Sequence, residues 1–258
     1  MKEIHNFTIL ERHTLGSQYF SLVLQHTDTM QPVSPGQFVE VLVEGEREVM
    51  LRRPISVHDA DPAAGTLTLL IQIVGPGTRR LSRLGVGESL NLVYPLGHGF
   101  TTDLRPPTSA LLVGGGAGIA PLLHLAKVLS AKGLHPTVLL GGRTADLIPV
   151  RDAFLPYAQV GIATDDGSLG HHGIVTTHPD FAFPYDIIYT CGPTPMMKAV
   201  ARSAAERGIR CEVSLENMMA CGVGACLCCV TDTDHGHRCV CKEGPVFDIS
   251  TMKKWYQC

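Results

Sequence analysis

Nine cysteines are present, and six of them fall between Cys221 and Cys241. They read Cys221-Gly-Val-Gly-Ala-Cys226-Leu-Cys228-Cys229, followed downstream by Cys239-Val-Cys241. Cys221, Cys226 and Cys229 carry the C-x4-C-x2-C spacing of plant-type [2Fe–2S] sites, in which thiolates hold the irons and a fourth cysteine follows later. Cys239 and Cys241 both qualify for that fourth position. Thiolates that converge from so short a segment need tight turns, and Gly222 and Gly224 permit the positive φ values involved. Without side chains they also let backbone N–H groups approach the cluster sulfurs, one way of tuning a reduction potential. Structural zinc takes paired short knuckles, with C-x2-4-C on each side, and the Cys221–Cys226 spacing with its two glycines fits that poorly. An odd cysteine count crowded into one tail argues against a disulfide framework. Cys228 is expected to sit in the loop without binding iron, and Cys211 and Cys258 to be ordinary thiols. A cluster of this kind carries one electron at a time, so the chemistry predicted is electron transfer.

Further motifs have the character of nucleotide sites. Gly114-Gly-Gly-Ala-Gly-Ile-Ala-Pro121 stands between a predicted strand and a predicted helix, where a glycine turn lets pyrophosphate reach a helix N-terminus. Its candidate contacts are Gly114, Gly115, Gly116 and Gly118. The match to G-x-G-x-x-G is imperfect, and Gly141-Gly-Arg143 replaces the acidic residue expected after the next strand, so an ordinary Rossmann site is not predicted. Tight strand–helix packing is the plain alternative for these glycines. Cys191, Gly192 and Pro193 follow the last predicted parallel strand, the position at which such sheets bind ligands, and are expected to face a nicotinamide. A turn before a helix with Pro195 near its start would read the same way. Asp165-Asp-Gly-Ser168 is either a ligand-facing loop or a turn. Arg143 is a candidate for a 2′-phosphate, which leaves NADH and NADPH both open.

Arg52-Arg-Pro-Ile-Ser56 offers Arg53 as a phosphate partner and Ser56 as a further donor. Pro54 forces Arg53 into an extended conformation. Gly75-Pro-Gly-Thr78 becomes a phosphate site if a helix begins there. Solvated charges and a simple turn are the plain readings of these two motifs. No histidine shows metal-ligand spacing with an acidic partner.

The elements that must position these residues come in three groups. The 258 residues are 45% hydrophobic and 17% charged with a net charge of −3, which suits a soluble protein of two domains plus an appendage. A pI near 6.4 gives no support for a nucleic-acid partner. Met1 to Thr14 is polar and mixed, unlike a signal peptide. The apolar stretch from Ser109 to Ala126 contains four glycines and Pro121, so it reads as strand, turn and helix rather than a membrane span. Reduced thiols and no signal point to the cytoplasm. Residues 1–102 are predicted as an antiparallel β-barrel from the runs Phe20–Leu24, Phe38–Val43, Thr66–Ile73 and Ser89–Val93, with glycine and proline between them. Residues 103–212 are predicted as an open parallel α/β sheet. Its strands are Ala110–Val113, Thr137–Leu140, Gln159–Ala163 and Asp186–Thr190, and its helices Ile119–Leu129 and Pro195–Arg207. Residues 213–258 form the small cysteine subdomain.

The series Arg53-Pro-Ile-Ser56, Gly114 to Pro121 and Cys191-Gly-Pro resembles the ferredoxin–NADP reductase superfamily. The tail from Glu216-Asn-Met-Met-Ala to Cys241-Lys-Glu-Gly-Pro-Val-Phe247 is similar to that of the electron-transfer subunits of NAD-linked dihydroorotate dehydrogenase B. This resemblance implies FAD contacts at Arg53, Pro54, Ile55 and Ser56, at Leu70, Ile71 and Gln72, and at Gly77 and Thr78. It implies cluster ligation by Cys221, Cys226, Cys229 and Cys241, with NAD(H) as substrate. It places orotate formation on an FMN-containing catalytic partner, in a heterotetramer of two chains of each kind, and assigns this chain no catalytic residue of that step. The rival readings are an NAD(P)H reductase subunit of a hydrogenase or ferredoxin:NADP oxidoreductase complex, and a zinc-binding or redox-sensing module without turnover. Cys226→Ser is expected to abolish cluster absorbance in the visible spectrum while flavin stays bound. A retained cluster would contradict the ligand assignment.

Overall fold

The computed structural model describes residues 2–257. Met1 and Cys258 lie outside them, so the thiol reading of Cys258 falls beyond the described residues. In the N-terminal half, side chains alternate in and out along six strands. These are β1 (Glu3–Leu15), β2 (Tyr19–Gln25), β3 (Phe38–Val41), β4 (Arg53–Asp61), β5 (Thr66–Gln72) and β6 (Ser89–Leu96). They close into an antiparallel barrel in the order β1-β2-β5-β4-β3-β6, with β6 pairing back on β1. Inward residues such as Phe7, Ile9, Leu22, Val39, Val41, Leu69 and Tyr94 fill its core. Closure leaves no unpaired edge. Helix α1 (Pro76–Leu81) follows β5 and seats Leu81 in the same core.

The second half alternates strand and helix, as predicted. Its elements are β7 (Ala110–Gly115), α2 (Ala120–Ala131), β8 (Thr137–Gly142), β9 (Gln159–Thr164), β10 (His171–His172), β11 (Ile187–Cys191), α3 (Thr194–Glu206) and β12 (Arg210–Ser214). The cysteine segment adds β13 (Val230–Thr233), β14 (Gly236–Cys239), α4 (Val240–Glu243), β15 (Val246–Asp248) and α5 (Lys253–Gln257). The sheet order is β10-β9-β8-β7-β11-β12-β15. All pairs are parallel except β12 with β15. Central strand β7 is buried along its whole length, as expected where both faces of a parallel sheet are covered. The chain runs outward from β7 to β10, then returns to place β11 on the other side of β7. The strand ends of β7 and β11 therefore form a topological switch point, where open α/β sheets bind ligands.

In the barrel, two strands escaped the sequence reading. In β1 only alternate residues such as Phe7 and Ile9 are fully buried, so its 13 residues read as polar overall. The Arg53 motif, expected between strands, itself begins β4.

The barrel is fastened to the parallel sheet behind the glycine turn. His58 Nδ1–H donates to Ala120 O at 2.8 Å, and His124 Nε2–H to Val33 O at 3.0 Å. At a bulge in β4, Asp59 pairs with Lys127 of α2, and His124 Nδ1 lies 3.5 Å away. None of the helices among the described residues is long and apolar enough to cross a membrane.

Burial works to raise the Asp59 carboxyl, but hydrogen bonds and charge from His124 and Lys127 overcome it and hold the pKa at about 2, below the ordinary 3.8. Such a depressed carboxylate stabilises the fold fully above its unfolded pKa and loses that contribution as pH falls through the folded value. Asp59→Asn is expected to cost about 2 kcal/mol at neutral pH. The gap to wild type should close as pH falls toward 2. Urea unfolding of both proteins across this range checks it, and equal stability at neutral pH would contradict it.

Candidate functional site

Glycine lets backbone pack on backbone at the switch point. After β7 the chain turns through Gly116, at φ +58°, into α2. A Cβ on Gly118 would collide with the backbone of Cys191 and Gly192. Gly192 has φ +143°, and a Cβ there would lie 2.6 Å from Gly115 O. A Cβ on Gly114 would meet Leu122 Cδ1 at 2.8 Å. The four candidate glycines thus divide. Gly114 and Gly118 let α2 and the β11 loop close on β7, whereas Gly115 and Gly116 line a cleft of about 580 Å³.

Gly192 and Pro193 form another wall of this cleft, and Tyr19 and Gln72 of the barrel and Glu216 complete that end. Arg143 and Asp165 stand at the other, where Asp166 N–H donates to Arg143 O at 3.2 Å. Asp165-Asp-Gly-Ser168 is therefore both a turn and a cleft edge. The Cys191 thiol is fully buried, with Sγ 4.0 Å from Glu216 Oε1. Burial, and then the Glu216 charge, push its pKa far up. Desolvation also raises Glu216. Tyr19 is 1% exposed, and its hydroxyl has no hydrogen-bond partner among the described residues. Burial and then Glu216 push its pKa up to about 12. This end of the cleft thus disfavours charge on its own groups. Tyr19 carried no motif and was not legible as a site residue.

The outer face of the barrel beside the cleft carries the Arg53 motif. Register pairs Ser56 with Phe38 and Pro54 with Glu40, so these four share the outward face. Ile55 alternates inward and packs on the barrel core. Neither the Arg53 guanidinium nor Ser56 Oγ makes a hydrogen bond among the described residues. Arg52, by contrast, is spent on Glu40 O and Asn91 within the barrel. A Cβ on Gly77, at the start of α1, would lie 3.1 Å from Arg53 Cδ, so the arginine stem runs directly under that helix. Thr78 Oγ1 accepts from Val74 N–H at 2.9 Å and Gly75 N–H at 3.2 Å, bracing the turn. On β5, Leu70 packs outward against Tyr19 and Ala120, while Ile71 points into the barrel core. An unspent guanidinium beside a helix start and an open serine hydroxyl fit a phosphate-bearing flavin nucleotide.

The cysteine loop lies over the same face. A Cβ on Gly222, at φ +66°, would lie 2.7 Å from Glu40 Cγ. Ala225 N–H and Cys226 N–H donate to Cys221 Sγ at 3.3 and 3.4 Å. Burial would raise the Cys221 pKa, but hydrogen bonds from Val223, Cys226 and Ala225 win and hold it below the usual thiol range. Thiolate is the form that binds metal. Cys241 N–H donates to Cys229 Sγ at 3.4 Å, and the two thiols are hydrogen-bonded. The Cys239 N–H is instead taken by Glu243 Oε2 at 2.7 Å. Cys228 is exposed. Leu227, at φ +59°, is the one non-glycine residue with positive φ among the described residues. Strain at that position fits a loop whose shape is dictated by ligation. Sulfurs that accept N–H bonds, a lowered thiol and glycine cradles fit an iron–sulfur cluster.

Residues 216–253 match the family model for the iron–sulfur cluster binding domain of dihydroorotate dehydrogenase B. The chain is 36% identical over 259 residues to the dihydroorotate dehydrogenase B (NAD(+)) electron transfer subunit of Bacillus cereus strain Q1, covering 98% of this chain and 99% of that one. The Bacillus anthracis strain A0248 subunit gives the same identity and coverage. Among solved structures, one of an NADH-dependent reduced ferredoxin-NADP oxidoreductase aligns with a TM-score of 0.84 at 30% identity, over 98% of this chain and 93% of that one. A ferredoxin reductase of carbazole 1,9a-dioxygenase shares the fold, with a TM-score of 0.68 at 24% identity over 81% of this chain and 67% of that one.

Arg53→Ala is expected to weaken flavin binding by roughly 1.5–3 kcal/mol, the scale of a hydrogen bond to a charged group. Fluorescence titration of flavin-stripped protein with FAD measures this directly. Unchanged affinity would contradict the placement of the flavin phosphate.

Proposed function

Because this chain belongs to the family of dihydroorotate dehydrogenase B electron-transfer subunits, we propose that it relays electrons from an FMN-containing, dihydroorotate-oxidising partner to NAD+, in pyrimidine biosynthesis. The observation that carries this reading is the contiguity of three sites. The cysteine loop rests on the barrel face bearing Pro54 and Ser56, and that face borders the cleft between Tyr19 and Gly115.

When bound, a flavin exchanges electrons in pairs with a nicotinamide and singly with an iron–sulfur cluster, and these cofactors carry the hard chemistry. The residues of this chain bind, orient and exclude water. Arg53, the start of α1 at Gly77 and Thr78, and Ser56 would hold FAD, with Pro54, Ile55, Leu70, Ile71 and Gln72 along its length. Side chains of Ile55 and Ile71 point into the barrel, so their contribution would come from backbone. Gly115 and Gly116 leave room for a dinucleotide pyrophosphate, and Gly192 and Pro193 wall the nicotinamide end. The buried Cys191 thiol and the Glu216 carboxyl flank that end in a desolvated setting that disfavours their ionisation. Cys221, Cys226, Cys229 and Cys241 would hold the cluster; the contact between Cys241 and Cys229 favours Cys241 over Cys239.

In this reading residues 1–102 are the flavin domain, 103–212 the NAD domain and 213–258 the cluster subdomain. The protein works in the cytoplasm as part of a heterotetramer of two chains of each kind. Met218, Val223 and Leu227 leave apolar side chains exposed around the cysteine loop, which suits a surface covered by a partner.

Co-expression with an FMN-containing dihydroorotate dehydrogenase subunit tests the reading. A co-purifying complex that reduces NAD+ only when dihydroorotate is supplied is the expected result. A chain that fails to bind that subunit, yet passes electrons from NAD(P)H to a hydrogenase or ferredoxin, would overturn it in favour of another reductase complex.

A further inference from the structure

Glu40 is an anomalous side chain. It stands in the middle of β3, between Val39 and Val41, which point into the barrel core. It is 1% exposed, and neither of its carboxylate oxygens has a hydrogen-bond partner among the described residues. A buried carboxylate without partners is expensive to keep. Charge from Arg53 and Arg52 offsets part of that cost. Neither arginine bonds the carboxylate directly; Arg52 is engaged with Asn91 and with the Glu40 backbone carbonyl.

What covers Glu40 is the cysteine loop. Gly222, the residue after Cys221, packs on it so closely that a Cβ would lie 2.7 Å from Glu40 Cγ and 3.1 Å from Oε1. The carboxylate therefore sits beneath the backbone next to a cluster ligand, close enough to Arg53 and Arg52 to feel their charge. Charges that water cannot reach act strongly on one another. An electron entering the cluster adds one negative charge above this carboxylate, and an electron leaving for the flavin removes it.

We propose that Glu40 holds the reduction potential of the cluster down, so that electrons arriving from the partner are passed onward to the flavin rather than retained. This rests on the relay reading above and adds to it a residue that ligates neither centre. Burial pushes the Glu40 pKa up to about 7 and Cys221 adds to the rise, while Arg53 and then Arg52 pull it down, so the comparison is made on the alkaline side of that value.

The test is a reductive titration of the holoprotein in mildly alkaline buffer, with the cluster followed by electron paramagnetic resonance. Wild type, Glu40→Gln and Glu40→Asp are compared at matched iron and flavin content. Glu40→Gln is expected to raise the cluster midpoint potential, and Glu40→Asp to leave it near the wild-type value. An unchanged or lowered potential in Glu40→Gln would overturn the proposal. If Glu40→Gln does not retain iron, Glu40→Met takes its place in the same comparison. Loss of iron from both, with iron kept in Glu40→Asp, would make the carboxylate a structural requirement of the loop and would also overturn it. Wild-type protein without iron would instead defeat the relay reading itself.

Discussion

The cysteine segment can serve a flavin only while it stays pinned between the two larger units, and backbone contacts do the pinning. β15 pairs with β12 and so makes the segment part of the parallel sheet. On the barrel side, His98 N–H donates to Gly244 O at 2.6 Å. Gly97, at φ +74°, leaves the space that Pro245 fills. Gly222 closes the contact against Glu40 and Leu96. Hydrogen bonds and close approaches of this kind depend on glycine and on main-chain atoms, and apolar side chains of the segment such as Val240, Phe247 and Met252 pack into the same core as the sheet. The loop that carries the thiolates is short and partly exposed, and it inherits its rigidity from these anchors.

The same device recurs at the switch point. Gly118 against Cys191–Gly192 brings two strand ends into backbone contact, and the cleft opens where they diverge. Barrel and sheet meet through few polar links, among them His58 to Ala120 and the Asp59–Lys127 pair, which lie on α2 directly behind the glycine turn. The position of the turn relative to the barrel face is therefore set by buried or half-buried polar contacts. Tyr19 and Glu216, which line one end of the cleft, and the buried Cys191 beside Glu216 all have pKa values raised by burial. Ionisation of these groups is disfavoured there.

Much of the architecture was legible because period and punctuation agree. β7, β8, β9 and β11 are apolar runs ended by glycine or a turn, and α2 and α3 keep helical spacing. Cysteine spacing and glycine placement pointed to the proposed cluster and dinucleotide sites for the same reason: such chemistry demands those residue types. What escaped lacks such a signature. β1 hides its inward Phe7 and Ile9 among polar residues that face water. The choice between Cys239 and Cys241 turns on the step from the end of β14, which holds Cys239, into α4, which holds Cys241. Tyr19 belongs to the cleft only because the sheet closes over the end of β2. Glu40 left a trace, a lone carboxylate inside the apolar run Phe38-Val-Glu-Val. A charge there signals either an exposed strand face or a buried special site, and only tertiary packing separates the two.

The central claim is that flavin, cluster and nicotinamide sites belong to one electron path through this chain. Anaerobic titration of the purified protein with NADH, following flavin absorbance together with the cluster's paramagnetic signal, tests it most directly. The account predicts that NADH bleaches the flavin and that the reduced-cluster signal rises with it. Protein lacking flavin or iron, or a cluster that stays oxidised while the flavin is fully reduced and a chemical reductant still reduces it, would contradict the account.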